Sequence, residues 1–263
     1  PSPLTGSAGA SPSHSPIWLE GRCLSIGQPV SYWPFLDILR SYFNLTQDDN
    51  EPEIARKITE SIKAVFPNRS DEFLPFFGEL FSVKFKNELD SRLDHLTPEQ
   101  LRYLTLMRLR DTFVAIAQNR PLILVLEDLH WADDLSMDLL SSLMDALSSA
   151  PLMLLCVYRT EKEHRCWQLS NIASRKCPDL FTELTLKYLT ARESRRLVES
   201  LLTIDNLPER VKTLILEKSE GNPFFIEEVI RSLIDKDLIY REGDRWKARQ
   251  EVENLNVPDT LQG

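Results

Sequence analysis

The chain alternates between short unbroken apolar runs and longer stretches in which apolar residues recur every three or four positions. Two runs stand out: Pro121–Leu126 (PLILVL), followed by Glu127 and Asp128, and Leu152–Tyr158 (LMLLCVY), followed by Arg159. Each is strand-sized, and an unbroken apolar strand is the pattern of a parallel sheet with helices on both faces. Between them Leu139, Leu140, Leu143 and Leu147 predict a helix over Leu135–Leu147. Strand, helix and strand in that order make a crossover unit of a parallel α/β sheet. Upstream, Ile17–Cys23 reads as a strand, and helices are predicted over Pro34–Phe43, Glu51–Phe66, Asp71–Phe81 and Pro98–Gln118. In the last of these, Leu101, Leu104, Leu109, Phe113 and Ile116 share a stripe, and Thr97-Pro98 supplies a cap and a first-turn proline. The aromatic set Trp33, Phe35, Tyr42 and Phe43 reads as core, and Phe181–Leu186 as a further strand.

After Leu189 the pattern turns helical. Thr190-Ala-Arg-Glu193 is a capping box opening a helix to Leu202. Further helices follow over Glu209–Ser219, stopped by Gly221, and over Pro223–Asp235, with Phe225, Ile226, Val229, Ile230 and Leu233 facing inward. Leu238–Tyr240 and Arg245–Lys247 flank Glu-Gly-Asp and predict a hairpin.

Composition narrows the function. With 40 Asp and Glu against 31 Lys and Arg among 263 residues, the net charge is −9, which argues against a dedicated nucleic-acid binder. No apolar run approaches the ~18 residues of a membrane span. The four cysteines, Cys23, Cys156, Cys166 and Cys177, form no C-x-x-C pair, and their placement fits a reducing, cytoplasmic setting. Residues 1–16 are Pro, Ser, Gly and Ala with hardly any large apolar side chain, the composition of a disordered leader.

The candidate chemistry sits at the end of the first apolar run. The carboxyl end of a parallel strand opens onto the ligand crevice. Two acids there are placed to hold Mg²⁺ and to orient an attacking water. Arg159 ends the neighbouring run, so Glu127, Asp128 and Arg159 are expected to face one crevice. His130 and Trp131 read as packing at the entrance of the following helix. Glu20 and Arg22 receive no role from the sequence.

Glu127-Asp-Leu-His-Trp-Ala-Asp133 resembles the Walker B region of STAND, or AAA+-like, P-loop ATPase domains. These are regulatory domains of bacterial signalling proteins, adjoining adenylate or guanylate cyclase, tetratricopeptide (TPR) or helix-turn-helix output domains. Trp18-Leu-Glu-Gly-Arg-Cys23 resembles the second strand of such a domain and Tyr32-Trp-Pro-Phe35 the start of its next helix. Leu155-Cys-Val-Tyr-Arg159 resembles its sensor-1 strand, Gly221-Asn-Pro-Phe-Phe225 its lid motif, and Val257-Pro-Asp-Thr-Leu-Gln262 its link into a winged helix. The resemblance implies a parallel-sheet P-loop ATPase core over residues 17–189, then an all-helical lid and the start of a winged-helix linker over 190–263. It implies ATP or ADP with Mg²⁺ as ligands, and Glu127 and Asp128 as catalytic and metal-binding acids. Arg159 becomes a γ-phosphate sensor, and Gly221, Asn222 and Pro223 a nucleotide-binding turn, the proline lying against adenine. The family more often has Asp first in the acidic pair, so the division of labour between Glu127 and Asp128 stays open.

One departure matters. The sequence contains no G-x-x-x-x-G-K-[ST] and no Gly-Lys dipeptide. Gly6–Ser13 echoes that loop, but Pro12 stands where its lysine belongs. The chain is therefore expected to lack the first strand and phosphate-binding loop, leaving a gap in the middle of the sheet. Two functions follow: a nucleotide switch in which ATP binding and slow hydrolysis control an attached output domain, or a non-catalytic interaction module that keeps the fold. A replication-initiator-like DNA binder is disfavoured by the acidic balance.

Overall fold

The computed structural model describes residues 15–25, 30–85, 89–159, 165–201, 209–242 and 245–249. The chain divides into two compact units, residues 1–183 and 184–263. Residues 1–14 of the expected leader, the loop echo at Gly6–Ser13 and the expected linker at Val257–Gln262 lie outside the described residues. Within the leader, Ser15 is held to the first unit: its carbonyl and hydroxyl oxygens accept hydrogen bonds from the Arg120 guanidinium.

The first unit is built on three parallel strands, β1 (Ile17–Arg22), β2 (Leu122–Glu127) and β3 (Leu152–Cys156), in the order β1-β2-β3. The ladder is continuous, with Ile17 opposite Leu122 and Leu122 opposite Leu152. The expected gap in the middle of the sheet does not occur between these strands.

Between β1 and β2 run α1 (Trp33–Tyr42), α2 (Glu51–Val65), α3 (Leu74–Phe81) and α4 (Pro98–Asn119). α5 (Asp134–Met144) joins β2 to β3, and α6 (Gln168–Lys176) follows. α4 starts on a reciprocal cap: the Thr97 hydroxyl accepts from the Gln100 N–H, and the Gln100 side chain accepts from the Thr97 N–H. Phe35, Phe43, Ile58, Ile62, Phe77, Leu109, Phe113, Leu124, Leu126, Leu139 and Leu140 are all fully or almost fully buried in one core. The aromatics at 35 and 43 are thus packing residues. Phe35 meets Phe113, and Phe43 meets Phe77, each at 5.6 Å between ring centroids.

Gly21 sets the approach of α1 to the sheet. A Cβ there would fall 2.0 Å from the Pro34 carbonyl oxygen and 2.8 Å from Ile38. α1 therefore covers the Gly21 face, which also carries Leu19, Leu122, Leu124 and Leu126. The other face is only partly covered by the described residues: Val125 in its middle is buried, but Trp18, Met153, Leu155 and Val157 are 55%, 54%, 38% and 45% exposed. The full cover of helices on both faces, expected from the unbroken apolar runs, is not seen among the described residues. The topology supplies the reason: both crossovers step the same way along the sheet, and right-handed crossovers in one direction put their helices on one face.

Residues 181–190 form neither helix nor strand, with Leu184, Leu186 and Tyr188 82%, 93% and 75% exposed. The strand expected over Phe181–Leu186 is corrected accordingly. Its short mix of apolar residues and threonines suits a strand, but a strand needs a hydrogen-bonded neighbour, and no described strand pairs with it.

The second unit packs α7 (Ala191–Leu201), α8 (Glu209–Ser219) and α9 (Pro223–Asp235) around Val198, Val211, Ile215, Ile226, Val229, Ile230 and Leu233. An antiparallel hairpin, β4 (Ile239–Glu242) with β5 (Arg245–Ala248), adds Ile239 to that core, so this unit is not wholly helical. No helix among the described residues is long and apolar enough to cross a membrane.

Candidate functional site

The parallel register brings the carboxyl ends of β1, β2 and β3 to one edge of the sheet. Arg22 closes β1 opposite Glu127, which closes β2. The next residue, Asp128, takes the left-handed conformation (φ 55°, ψ 36°), and the chain then enters a single 3-10 turn over Leu129–Trp131. Asp is among the few L-residues that tolerate this region. Two backbone bonds fasten the turn: the Leu129 N–H donates to Val157 O (3.0 Å), just past β3, and the Trp131 N–H donates to Asp128 O (2.9 Å).

Asp133 then caps α5. Its carboxylate accepts from the Ser136 N–H and hydroxyl and, at 3.3 Å, from the Tyr32 N–H. One side chain thereby ties the start of α5 to the start of α1, so the acidic turn is braced from both sides.

Glu127 and Asp128 are brought together with a residue to which the sequence gave no role. The Arg22 Nε–H donates to Asp128 Oδ2 at 2.6 Å, and the same nitrogen lies 4.0 Å from Glu127 Oε2. The hydrogen bond that Arg22 donates to Asp128, and the Asp128 charge, hold the Arg22 proton more firmly than usual. The only signal that finds Arg22 is its place as the terminal residue of a strand parallel to the acidic one. Arg159 lies at the same edge of the sheet, but its guanidinium stacks over the Trp131 ring at 5.5 Å from the centroid, not on either acid. His130 packs against Trp131 at 4.3 Å.

Among the described residues no three His, Cys, Asp or Glu side chains group as a metal centre. The site therefore offers two adjacent carboxylates. That donor set suits Mg²⁺, which takes one or two carboxylates and completes its shell with water and phosphate oxygens. A closed zinc site needs more protein ligands. For the phosphates of a nucleotide the fit is partial: the sequence holds no Gly-x-x-x-x-Gly-Lys-Ser/Thr motif to supply a lysine and a backbone cradle.

Gly221, Asn222 and Pro223 lie in the second unit, where each has a local cause. Gly221 has φ 81°, and a Cβ there would meet Leu189 O at 2.3 Å. Its own carbonyl accepts from the Leu189 N–H at 2.7 Å. Asn222 caps α9 by accepting from the Phe224 N–H, and Pro223 opens the first turn.

A family model described as AAA ATPase domain matches residues 4–155, more than half of the chain. That span includes the whole acidic turn and stops four residues before Arg159. A second, described as a domain of unknown function (DUF8739), matches residues 190–247, which include Gly221–Pro223. No curated protein and no solved structure matches the chain.

Proposed function

The chain belongs to the AAA ATPase domain family, and from that premise we propose that it is part of a regulatory nucleotide switch in a bacterial signal-transduction protein. ATP binding and slow hydrolysis would control an attached output domain, such as a nucleotide cyclase, a TPR array or a helix-turn-helix regulator, in the cytoplasm. The observation that carries the reading is the pair Glu127–Asp128 at the carboxyl end of the central strand of a parallel sheet.

In this reading Glu127 and Asp128 would hold Mg²⁺ and orient the attacking water, and the bound ion would supply positive charge to offset what builds on the phosphoryl oxygens. Arg159 leaves the Trp131 ring to meet the terminal phosphate. The Gly221–Pro223 turn presents Pro223 to the adenine. The phosphate cradle is supplied by a strand–loop–helix segment outside the 263 residues. The missing Gly-Lys dipeptide favours a second reading, a non-catalytic interaction module with the same fold.

Titration calorimetry with Mg-ATP separates the two. Each charge-assisted hydrogen bond withheld from the phosphates costs ~1.5–3 kcal/mol. The 263-residue chain alone is therefore expected to show no micromolar binding. Joined ahead of Ile17 to a strand–loop–helix segment carrying Gly-x-x-x-x-Gly-Lys-Ser, it is expected to bind in the micromolar range. Micromolar binding by the chain alone would overturn the placement of the cradle. No binding by the joined protein would favour the interaction module.

A further inference from the structure

The acidic pair already has a cation. Arg22 is fixed beside Glu127 by strand register, and the left-handed turn at Asp128 swings the second carboxylate onto the Arg22 Nε–H. Among the described residues no other arginine or lysine pairs with either acid. The Asp128 carboxylate is 20% exposed, whereas the Arg22 side chain is 67% exposed. Exposed ion pairs contribute little to stability, so this one is readily broken. It nevertheless occupies an oxygen that a metal-bound water would need, and it sets a positive charge where a divalent cation has to arrive.

We propose that Arg22 is the resident counter-ion of the Glu127–Asp128 pair, displaced when a divalent cation binds and left as a free guanidinium at the mouth of the site. This rests on the reading of the two acids as a divalent-cation site. Arg22 acts through the acids and is a positioning residue. With the cation absent it balances two neighbouring negative charges and holds Asp128 in its turn. With the cation present, a double charge replaces a single one on the same carboxylates.

The test is Mn²⁺ binding to the full chain, read by the electron paramagnetic resonance signal of free Mn²⁺. Arg22→Gln keeps a polar side chain at an exposed position and removes the charge. A unit charge removed from roughly 4 Å at a partly exposed site is expected to tighten Mn²⁺ binding roughly five- to ten-fold. In an Asp128→Asn background, which tolerates the left-handed turn, the same substitution is expected to change binding less than two-fold. The Arg22 Nε–H resonance is expected to move to the position of free arginines both in Asp128→Gly, which suits the left-handed turn and removes the acceptor, and on titration with Mg²⁺. If Arg22→Gln leaves affinity unchanged while Glu127→Gln or Asp128→Asn weakens it, the acids hold the cation and the counter-ion role is overturned. If none of the three substitutions changes binding, the divalent-site reading falls as well. An Arg22 resonance that stays in place at saturating Mg²⁺ overturns the displacement.

Discussion

Gly21→Ala probes the contact on which the geometry of the sheet edge depends. The residue is in β1, and its backbone is not in the left-handed region, so the added methyl acts by collision alone. The new Cβ would lie 2.0 Å from the Pro34 carbonyl oxygen, where ordinary contact begins at 3.4 Å. The first turn of α1 would have to retreat by more than an ångström. The nearest obstructing atoms, the Pro34 carbonyl oxygen and carbon, are main chain, so no side-chain rotation relieves them, and Ile38, whose Cγ1 also stands in the way, is fully buried with Phe35 and Leu39. Overpacking in a tight core costs ~1–3 kcal/mol, and this site belongs at the upper end, about 3 kcal/mol. For a unit of this size that corresponds to a fall of roughly 6–12 °C in Tm. Differential scanning calorimetry and urea unfolding of the two proteins measure it. Gly78→Ala, whose Cβ would lie 2.9 Å from Val83 O and 3.1 Å from Phe85, serves as the milder comparison. A Gly21→Ala protein within about 0.5 kcal/mol of the parent would refute the claim that this glycine sets the distance between α1 and β1.

Gly221→Ala is expected to destabilise the second unit by about 2–3 kcal/mol, since it combines a positive φ with a 2.3 Å approach to Leu189 O; unchanged amide protection of α8 and α9 in hydrogen exchange would contradict this. The alkaline limb of stability is a further prediction. Burial, with Asp133 and Asp128 nearby, pushes the Cys23 thiol from 9.0 up to about 12, and burial pushes the Tyr32 hydroxyl from 10.0 up to about 12. Below pH 9 both groups are protonated in the folded and the unfolded chain, and their contribution is fully present. From pH 9 to 12 for Cys23, and from pH 10 to 12 for Tyr32, the unfolded chain releases a proton that the folded one keeps, so stability falls by about 1.4 kcal/mol per pH unit for each group in its window. Between pH 9 and 10 the slope belongs to the cysteines together, since burial also pushes the Cys156 thiol up to about 12 and raises those of Cys166 and Cys177. Cys23→Ala is expected to reduce the slope by up to about 1.4 kcal/mol per pH unit without abolishing it in pH-dependent urea unfolding, and an identical slope would show that the Cys23 thiol ionises freely in the fold.

What was legible in the sequence was what depends on neighbours along the chain. The runs at 122–127 and 152–156 announced β2 and β3 because an unbroken apolar run of strand length is a signal carried by the segment itself. Thr97 with Pro98, and Thr190 with Glu193, announced helix starts because capping is local chemistry. The acidic turn was legible for the same reason, as a run of apolar residues with two carboxylates at its end. Arg22 was not, since its link to Asp128 spans 106 residues and exists only through the parallel register of β1 with β2. The partly covered face of the sheet escaped because the sequence reports that a residue is apolar, not which crossover covers it. Phe181–Leu186 has the composition of a strand, but pairing is supplied by another part of the chain and leaves no mark on the segment itself.

Single-turnover ATP hydrolysis by the chain joined to the Gly-x-x-x-x-Gly-Lys-Ser segment tests the central claim most directly, with the parent compared against Glu127→Gln and Asp128→Asn. If these acids hold Mg²⁺ and the attacking water, each substitution lowers the rate by at least ~10²-fold, while ATP remains bound through the cradle. A rate within two-fold of the parent in both variants, at saturating Mg-ATP, would contradict the account and put the chemistry elsewhere.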